Sequence, residues 1–570
     1  MIHYLFQIIG KCMQDAKDIK PKDGVDFLLE ESDWDDYGYI TMYFVHATPH
    51  ITKRKENYCL GNLRIMKLNQ KKGESNLLRK DFLSQKLVFN SLPYEYVSLS
   101  LDVDFYENLQ QILRKPNERE TFASSLNMIF GEDSPLYPIV KEKECFVDSL
   151  LRDSYINDFS LLQGQKIMLS KEIVFDLRTE SFEVTFSNSG EKLKLDFCAL
   201  KDFADSETIP NGIIALIGKN GSGKSTALYE IAKILYASPD TRRLIQNKVG
   251  RLGNNSIGIS KLIMFSYSAF DNFVLPGSTK QECWSLLDGL ENHTGRFVFC
   301  GIRDVVYDMK ELYYKSDKLP EEKFIDIASD YRFKEVHLKS PDKLGEEYVA
   351  ALESLKNGEK LNLWVGFMKS IREKQPELWS SIKEISDTYY IDKQNYKDYF
   401  NKLSTGYKFI IHSMAHLIAN CEYNNLVLFD EPENHLQPPL LSFIISEIRK
   451  ILAKNRSVML IATHSPIILQ EVFAKNVRIV KRFGYSRCFE QPKIETYGES
   501  FGAIAAEVFN INSDNTHYYQ SIEKLYEAWN MDSVESLQKM IALYEEKLGG
   551  SLSSQMESFL ISKYAKSHKI

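Results

Sequence analysis

Long hydrophobic runs are missing from this 570-residue chain. None approaches the roughly 18 to 20 apolar residues that a bilayer span needs, so no membrane-crossing helix is expected. The first residues, Met1 to Gly10, lack the basic start and small-residue cleavage site of a secretory leader, and are expected to belong to a folded domain. The eight cysteines are scattered, with no CxxC pair and no zinc-ligand spacing, which points to reduced thiols in a cytoplasmic protein. Basic excess is also lacking. The net charge is −7, against the positive footprint of a dedicated nucleic-acid binder. A local basic stretch runs through Lys53-Arg54-Lys55, Lys67, Lys71-Lys72 and Arg79-Lys80; such runs are usually solvated faces. There is no internal repeat and no low-complexity tract.

What is present is ordinary soluble composition, 44% hydrophobic and 26% charged, in a chain long enough for about two to four domains. Residues 1–140 read as an accessory α+β module. Strands are expected at Tyr39–Val45 and Leu60–Met66, and helices at Asp104–Arg114 and Glu118–Phe130. His46 and His50, either side of Pro49, read as surface residues rather than metal ligands. Short strands follow at Ile173–Leu177, Phe182–Phe186 and Leu193–Phe197. They lead to Ile213–Ile217, a continuous apolar run of the kind buried on both faces of a sheet. From 285 to 400 the text is charged amphipathic helix, with apolar positions such as Leu352, Leu355, Leu361 and Leu363. Strand patterns return at Leu426–Phe429 and Val458–Ala462, and helices at Ile522–Trp529 and Val534–Lys547. The expected division is therefore 141–284 and 401–495 as two halves of one α/β core, 285–400 as a helical insertion or lid, and 496–570 as C-terminal helices.

The chemistry starts at Gly218-Lys219-Asn220-Gly221-Ser222-Gly223-Lys224-Ser225-Thr226. A buried strand runs into this loop, and a helix with an apolar face at Leu228, Ile231, Ala232 and Leu235 leaves it. Glycines let successive N–H groups turn toward phosphate oxygens, helped by the helix N-terminus. Lys224 is expected on the β- and γ-phosphates of ATP and the Ser225 hydroxyl on Mg²⁺; Gly218, Asn220, Gly221, Ser222, Gly223 and Thr226 complete the nucleotide-binding set.

Companion segments occur in the matching order. The strand Leu426–Phe429 ends in Asp430-Glu431, giving a metal-binding acid followed by a general base. Leu403-Ser404-Thr405-Gly406-Tyr407-Lys408 precedes a helix and offers Ser404 and Gly406 as a second anion-binding surface. His464, closing the next strand, is placed to sense a γ-phosphate.

Together these four segments resemble the Walker A, signature, Walker B and switch-histidine motifs of ATP-binding-cassette ATPases. Glu433-Asn434-His435-Leu436-Gln437-Pro438 is similar to the D-loop region of their SMC-like and OLD-like branch. The resemblance covers about half the chain. It implies a cassette ATPase head of mixed sheets and helices, split by the helical insertion. It also implies a head-to-tail homodimer in which Ser404–Gly406 of one subunit cap ATP held by Lys224 of the other. Two departures stand out. Tyr407 occupies the usual signature glutamine position, and Ser266–Asp271 contains no glutamine for the expected Q-loop, which leaves Asp271 as the candidate there.

Pro320, Pro341 and Pro376 interrupt the insertion, and no sustained heptads occur, so a long coiled-coil arm is excluded. No DxD acid pair follows His464, and Asp514 and Asp532 are isolated; no intrinsic nuclease is expected. Stand-alone ATPases of this shape resemble the ATPase subunit of Septu-type anti-phage systems, and Tyr497–Ile504 followed by Glu507–Phe509 looks like the tail of that group. The resemblance implies a homodimer, or a higher oligomer, that regulates an HNH-type nuclease partner. The alternative is an SMC-like repair or chromosome-maintenance ATPase that binds DNA directly.

Overall fold

In the computed structural model the residues described are 3–11, 19–52, 57–75, 77–152, 154, 156, 159–169, 177–179, 181–187, 190–204, 206–253, 259, 261–293, 295–316, 318–330, 332–355, 358–385, 393–484, 486–509, 517–534 and 536–568. Lys53-Arg54-Lys55, most of the Ile173–Leu177 strand and Asp514 lie outside them.

They form two units, 1–499 and 500–570. The N-terminal part of the first is a six-stranded sheet in the order Val88–Phe89, Phe6–Ile9, Phe27–Glu31, Met42–Ala47, Tyr58–Lys67, Tyr96–Leu99. Aromatic rings fill its core: Phe6 stacks on Phe27 and Phe89, and Phe122 of the helix Pro116–Ser125 meets Phe27 edge-on at 4.9 Å. His46 departs from its expected surface position. It sits buried on Met42–Ala47 with its Nε2 2.9 Å from Glu30. Burial alone would lower its pKa, but the neighbouring Cys59 and Glu30 favour the charged ring and lift it to about 10. His50 is the exposed one of the two.

The central sheet has seven strands in the order Phe297–Gly301, Leu262–Ser266, Leu426–Asp430, Val458–Thr463, Ile213–Ile217, Val477–Phe483, Ser486–Glu490. All neighbouring pairs are parallel except the last. Parallel strands buried on both faces need near-continuous apolar runs. Leu426–Asp430 and Val458–Thr463 are buried throughout. A smaller antiparallel sheet joins Lys192–Asp196, Ser181–Phe186 and Gly250–Leu252.

The stretch 285–400 is mostly helical but also supplies the edge strand Phe297–Gly301. Its prolines sit where proline costs least. Pro341 and Pro376 open helices Pro341–Ser354 and Pro376–Ile382, and Pro320 directly precedes Glu321–Asp330. Leu352 and Leu355 are fully buried, while Leu361 and Leu363 are half-exposed. The buried face of Glu359–Lys374 is Trp364, Phe367, Met368 and Ile371 instead.

The helix Lys280–Glu291 docks the N-terminal module on the core: the Tyr58 hydroxyl donates to Asp288 at 2.9 Å, and its ring packs on Trp284. The second unit consists of helices Phe501–Phe509, His517–Ala528, Leu537–Leu548 and Ser554–His568. Ile522, Tyr526, Met540, Tyr544 and Leu560 form its core.

Candidate active site

Ile213–Ile217 is buried along its whole length between Val458–Thr463 and Val477–Phe483, and delivers the chain to the loop at the carboxyl edge of the sheet. The loop glycines have physical work. Gly218 passes so near the Val480 carbonyl that a Cβ would lie 2.3 Å from its oxygen. Gly221 and Gly223 hold φ of +77° and +95°, where side chains are strained. The helix Lys224–Tyr236 starts at once, so its first N–H groups face the loop.

Lys224 folds back into this loop, its ammonium donating to the carbonyls of Gly218 at 3.0 Å and Lys219 at 3.4 Å. Burial lowers its pKa, and Glu431, Asp430 and Glu433 pull in the opposite direction. Ser225 donates to Asp430 Oδ1 at 2.9 Å. Asp430 is pushed well above the carboxylate range by burial, reinforced by the charge of Asp271, while the Ser225 hydroxyl and Lys224 counter it. Two acids sharing a buried site are what a divalent cation would relieve. The Ser222 hydroxyl is buried beside Gly218 with no hydrogen-bond partner among the described residues, a further polar group that a phosphate would satisfy. The residues present therefore fit MgATP.

Glu431 takes a left-handed backbone, φ +46°, with its N–H bonded to the Ala462 carbonyl. That turn throws the chain into the 3-10 segment Pro432–His435. Glu433, which the sequence offered only as part of a loop motif, becomes a latch. Its Oε1 accepts from the Thr463 hydroxyl at 2.5 Å and from the His464 N–H at 2.6 Å. His464 Nδ1 lies 3.2 Å from the same oxygen and 3.8 Å from Glu431 Oε1. The Asn434 amide donates to Glu431 Oε2 at 3.0 Å. Lys224, Ser225, Asp430, Glu431 and His464 thus share one edge of the sheet.

Ser404 and Gly406 do not join them within the chain. They open the helix Thr405–Asn420 and line a separate cavity of 510 Å³ with Gln375, Glu377, His435 and Gln437. Ser404 precedes the helix with extended backbone, and its side chain makes no capping bond. The turn Pro432–His435 touches both places, because Gly406 sits so close to the His435 carbonyl that a Cβ would meet it at 2.7 Å.

Asp271 Oδ2 accepts a short hydrogen bond from Tyr229 on the helix that follows the phosphate loop. Sequence gave that pairing no signal. Arg487, on the antiparallel edge strand, was also unforeseen. It donates to the Gly223 carbonyl at 3.3 Å, pairs with Glu230 and lies 4.6 Å over the Phe186 ring, clamping the loop from outside. Only the arrival of Ser486–Glu490 beside the loop reveals it.

Residues 307–470 match the family described as "AAA domain, putative AbiEii toxin, Type IV TA system". That match and the parallel sheet with its glycine-rich loop fit a P-loop ATPase fold. Protein ea59 of Escherichia phage lambda is 24% identical over 535 residues, spanning 91% of this chain and 92% of that protein. A structure entitled "An inward-facing conformation of a putative metal-chelate type ABC transporter" aligns at 14% identity over 58% of this chain and 90% of its own, with a TM-score of 0.24, too distant to bear on function. Among the described residues no helix is long and apolar enough to cross a membrane.

Proposed function

We propose that the chain binds and hydrolyses ATP with Mg²⁺ as a head-to-tail homodimer, and that its nucleotide state regulates a partner effector, an HNH-type nuclease, in anti-phage defence. The observation that carries the reading is the separation of two half-sites: Lys224, Ser225 and Asp430 at one place, Ser404 and Gly406 around a cavity at another. In this reading Gly218–Thr226 cradle the phosphates, Ser225 and Asp430 hold Mg²⁺, and the ion supplies charge to offset the phosphate oxygens. Glu431 Oε1 accepts the proton of the attacking water, and His464, held by Glu433, faces the terminal phosphate. Ser404 and Gly406 of a second subunit close the site.

The reading as a DNA-clamping ATPase draws less support from the basic stretch. Lys67 is tied to Asp81 at 2.6 Å, Arg79 to Glu31 at 2.8 Å, and Lys72 lies 3.5 Å from Asp148.

Glu431→Gln tests the ATPase assignment. The substitution keeps size and phosphate-site charge partners but removes the proton acceptor, so turnover should fall about 10²–10⁴-fold while ATP binding persists. Phosphate-release and nucleotide-binding assays on the same protein read both. An unchanged rate would falsify the role of Glu431. Co-purification with the product of a neighbouring gene tests the effector, and a partner without nuclease activity would overturn that part.

A further inference from the structure

Behind the signature helix lies a second cluster of metal-type ligands that the ATPase reading does not use. His412 and His416 are four apart on Thr405–Asn420, so both rings leave the same face of that helix. Glu347 reaches them from the neighbouring helix Pro341–Ser354. One ligand atom from each of the three lies within 4.8 Å of the others. His412 Nε2 is 3.7 Å from Glu347 Oε2, and the two imidazoles stand 4.4 Å apart.

Hydrogen bonding fixes which ring atoms are free. The His412 Nδ1 is 2.8 Å from the Tyr267 hydroxyl, which orients the ring and leaves Nε2 toward the cluster. His412 is 1% exposed, and its Nε2 and that of His416 are buried without any hydrogen-bond partner among the described residues. Two orphaned imidazole nitrogens facing one carboxylate are costly in a dry interior and well suited to a shared ion.

We infer that Glu347, His412 and His416 bind a divalent transition ion of the Zn²⁺ class, with a fourth position left for water, joining the signature helix to Pro341–Ser354. Lys339 is the opposing element: its ammonium sits 2.8 Å from Glu347 Oε2 and also donates to the Gly301 carbonyl at 3.0 Å. An ion displaces Lys339 from Glu347, leaving it on Gly301.

The test uses the full chain, stripped of metal and nucleotide, titrated with Zn²⁺ and separately with Co²⁺ in excess Mg²⁺. One equivalent should bind, with the visible bands of a four-coordinate Co²⁺ centre. His416→Asn should weaken binding about tenfold or more. Lys339→Met should tighten it, a gain that misfolding does not produce. X-ray absorption at the zinc edge of the unsubstituted protein should show nitrogen and oxygen neighbours with imidazole scattering. The inference is overturned by no saturable uptake, by equal affinity in His416→Asn, by weaker or unchanged binding in Lys339→Met, or by sulfur in the first shell, which would move the ion to one of the free cysteines. None of these outcomes depends on ATP turnover.

Discussion

Asp271 is buried, receives the Tyr229 hydroxyl, and adds its charge to Asp430, whose own hydroxyl donor is Ser225. If it orients the metal site from behind, Asp271→Asn should raise the Mg²⁺ concentration for half-maximal ATPase rate about tenfold and leave nucleotide binding without Mg²⁺ unchanged. A rate profile over Mg²⁺ concentration reads this directly; an unaltered profile would confine Asp271 to holding Tyr229. The sequence had offered Asp271 as a stand-in for a missing glutamine, but its neighbours could not be known. The phosphate loop was legible because strand, glycines and helix are contiguous, so local patterning carries the site. Glu433 was not. Its hold on Thr463 and His464 depends on the left-handed turn at Glu431, and nothing in a run of acids announces a backbone turn.

At the scale of elements, the helix Thr405–Asn420 and the turn Pro432–His435 meet at Gly406, where no side chain has room. Gly406→Ala forces its methyl group against the His435 carbonyl, so a stability loss of about 1–3 kcal/mol is expected, with ATPase activity reduced and binding at Lys224 retained. Gly366 is the control: it lies within Glu359–Lys374 with nothing near its Cβ position, and alanine there should stabilise by about 0.5–1 kcal/mol. Urea unfolding of both variants separates the two cases, and equal stability would deny the contact its importance. The long periodic helices and the buried parallel strands of this region could be read in advance. Phe297–Gly301 could not, because five apolar residues in a charged, helical neighbourhood do not distinguish a strand from a turn of buried helix. Pairing with Leu262–Ser266 decides it.

For the whole molecule, the proposed dimer makes a prediction no single chain can satisfy. Lys224→Ala and Ser404→Arg should each be inactive, and mixing them should restore activity several-fold over either alone, since a mixed dimer keeps one undamaged composite site. Steady-state hydrolysis over a range of mixing ratios checks this; no recovery would rule out the head-to-tail arrangement. The return of apolar strands after the helical stretch led to the expectation of a split core, but strand order was not legible, since it depends on which distant segments pair. The order has a consequence for biosynthesis. Ile213–Ile217 hydrogen-bonds on one side only to Val458–Thr463 and on the other to Val477–Phe483. Until those segments leave the ribosome, a wholly apolar strand waits with both edges open, and the phosphate loop has no sheet beneath it. Nascent chains stalled before residue 458 should therefore be prone to sticking to one another or to chaperones. On the proposed reading, nucleotide binding would become possible only late in synthesis, after nearly all of the first unit has been made.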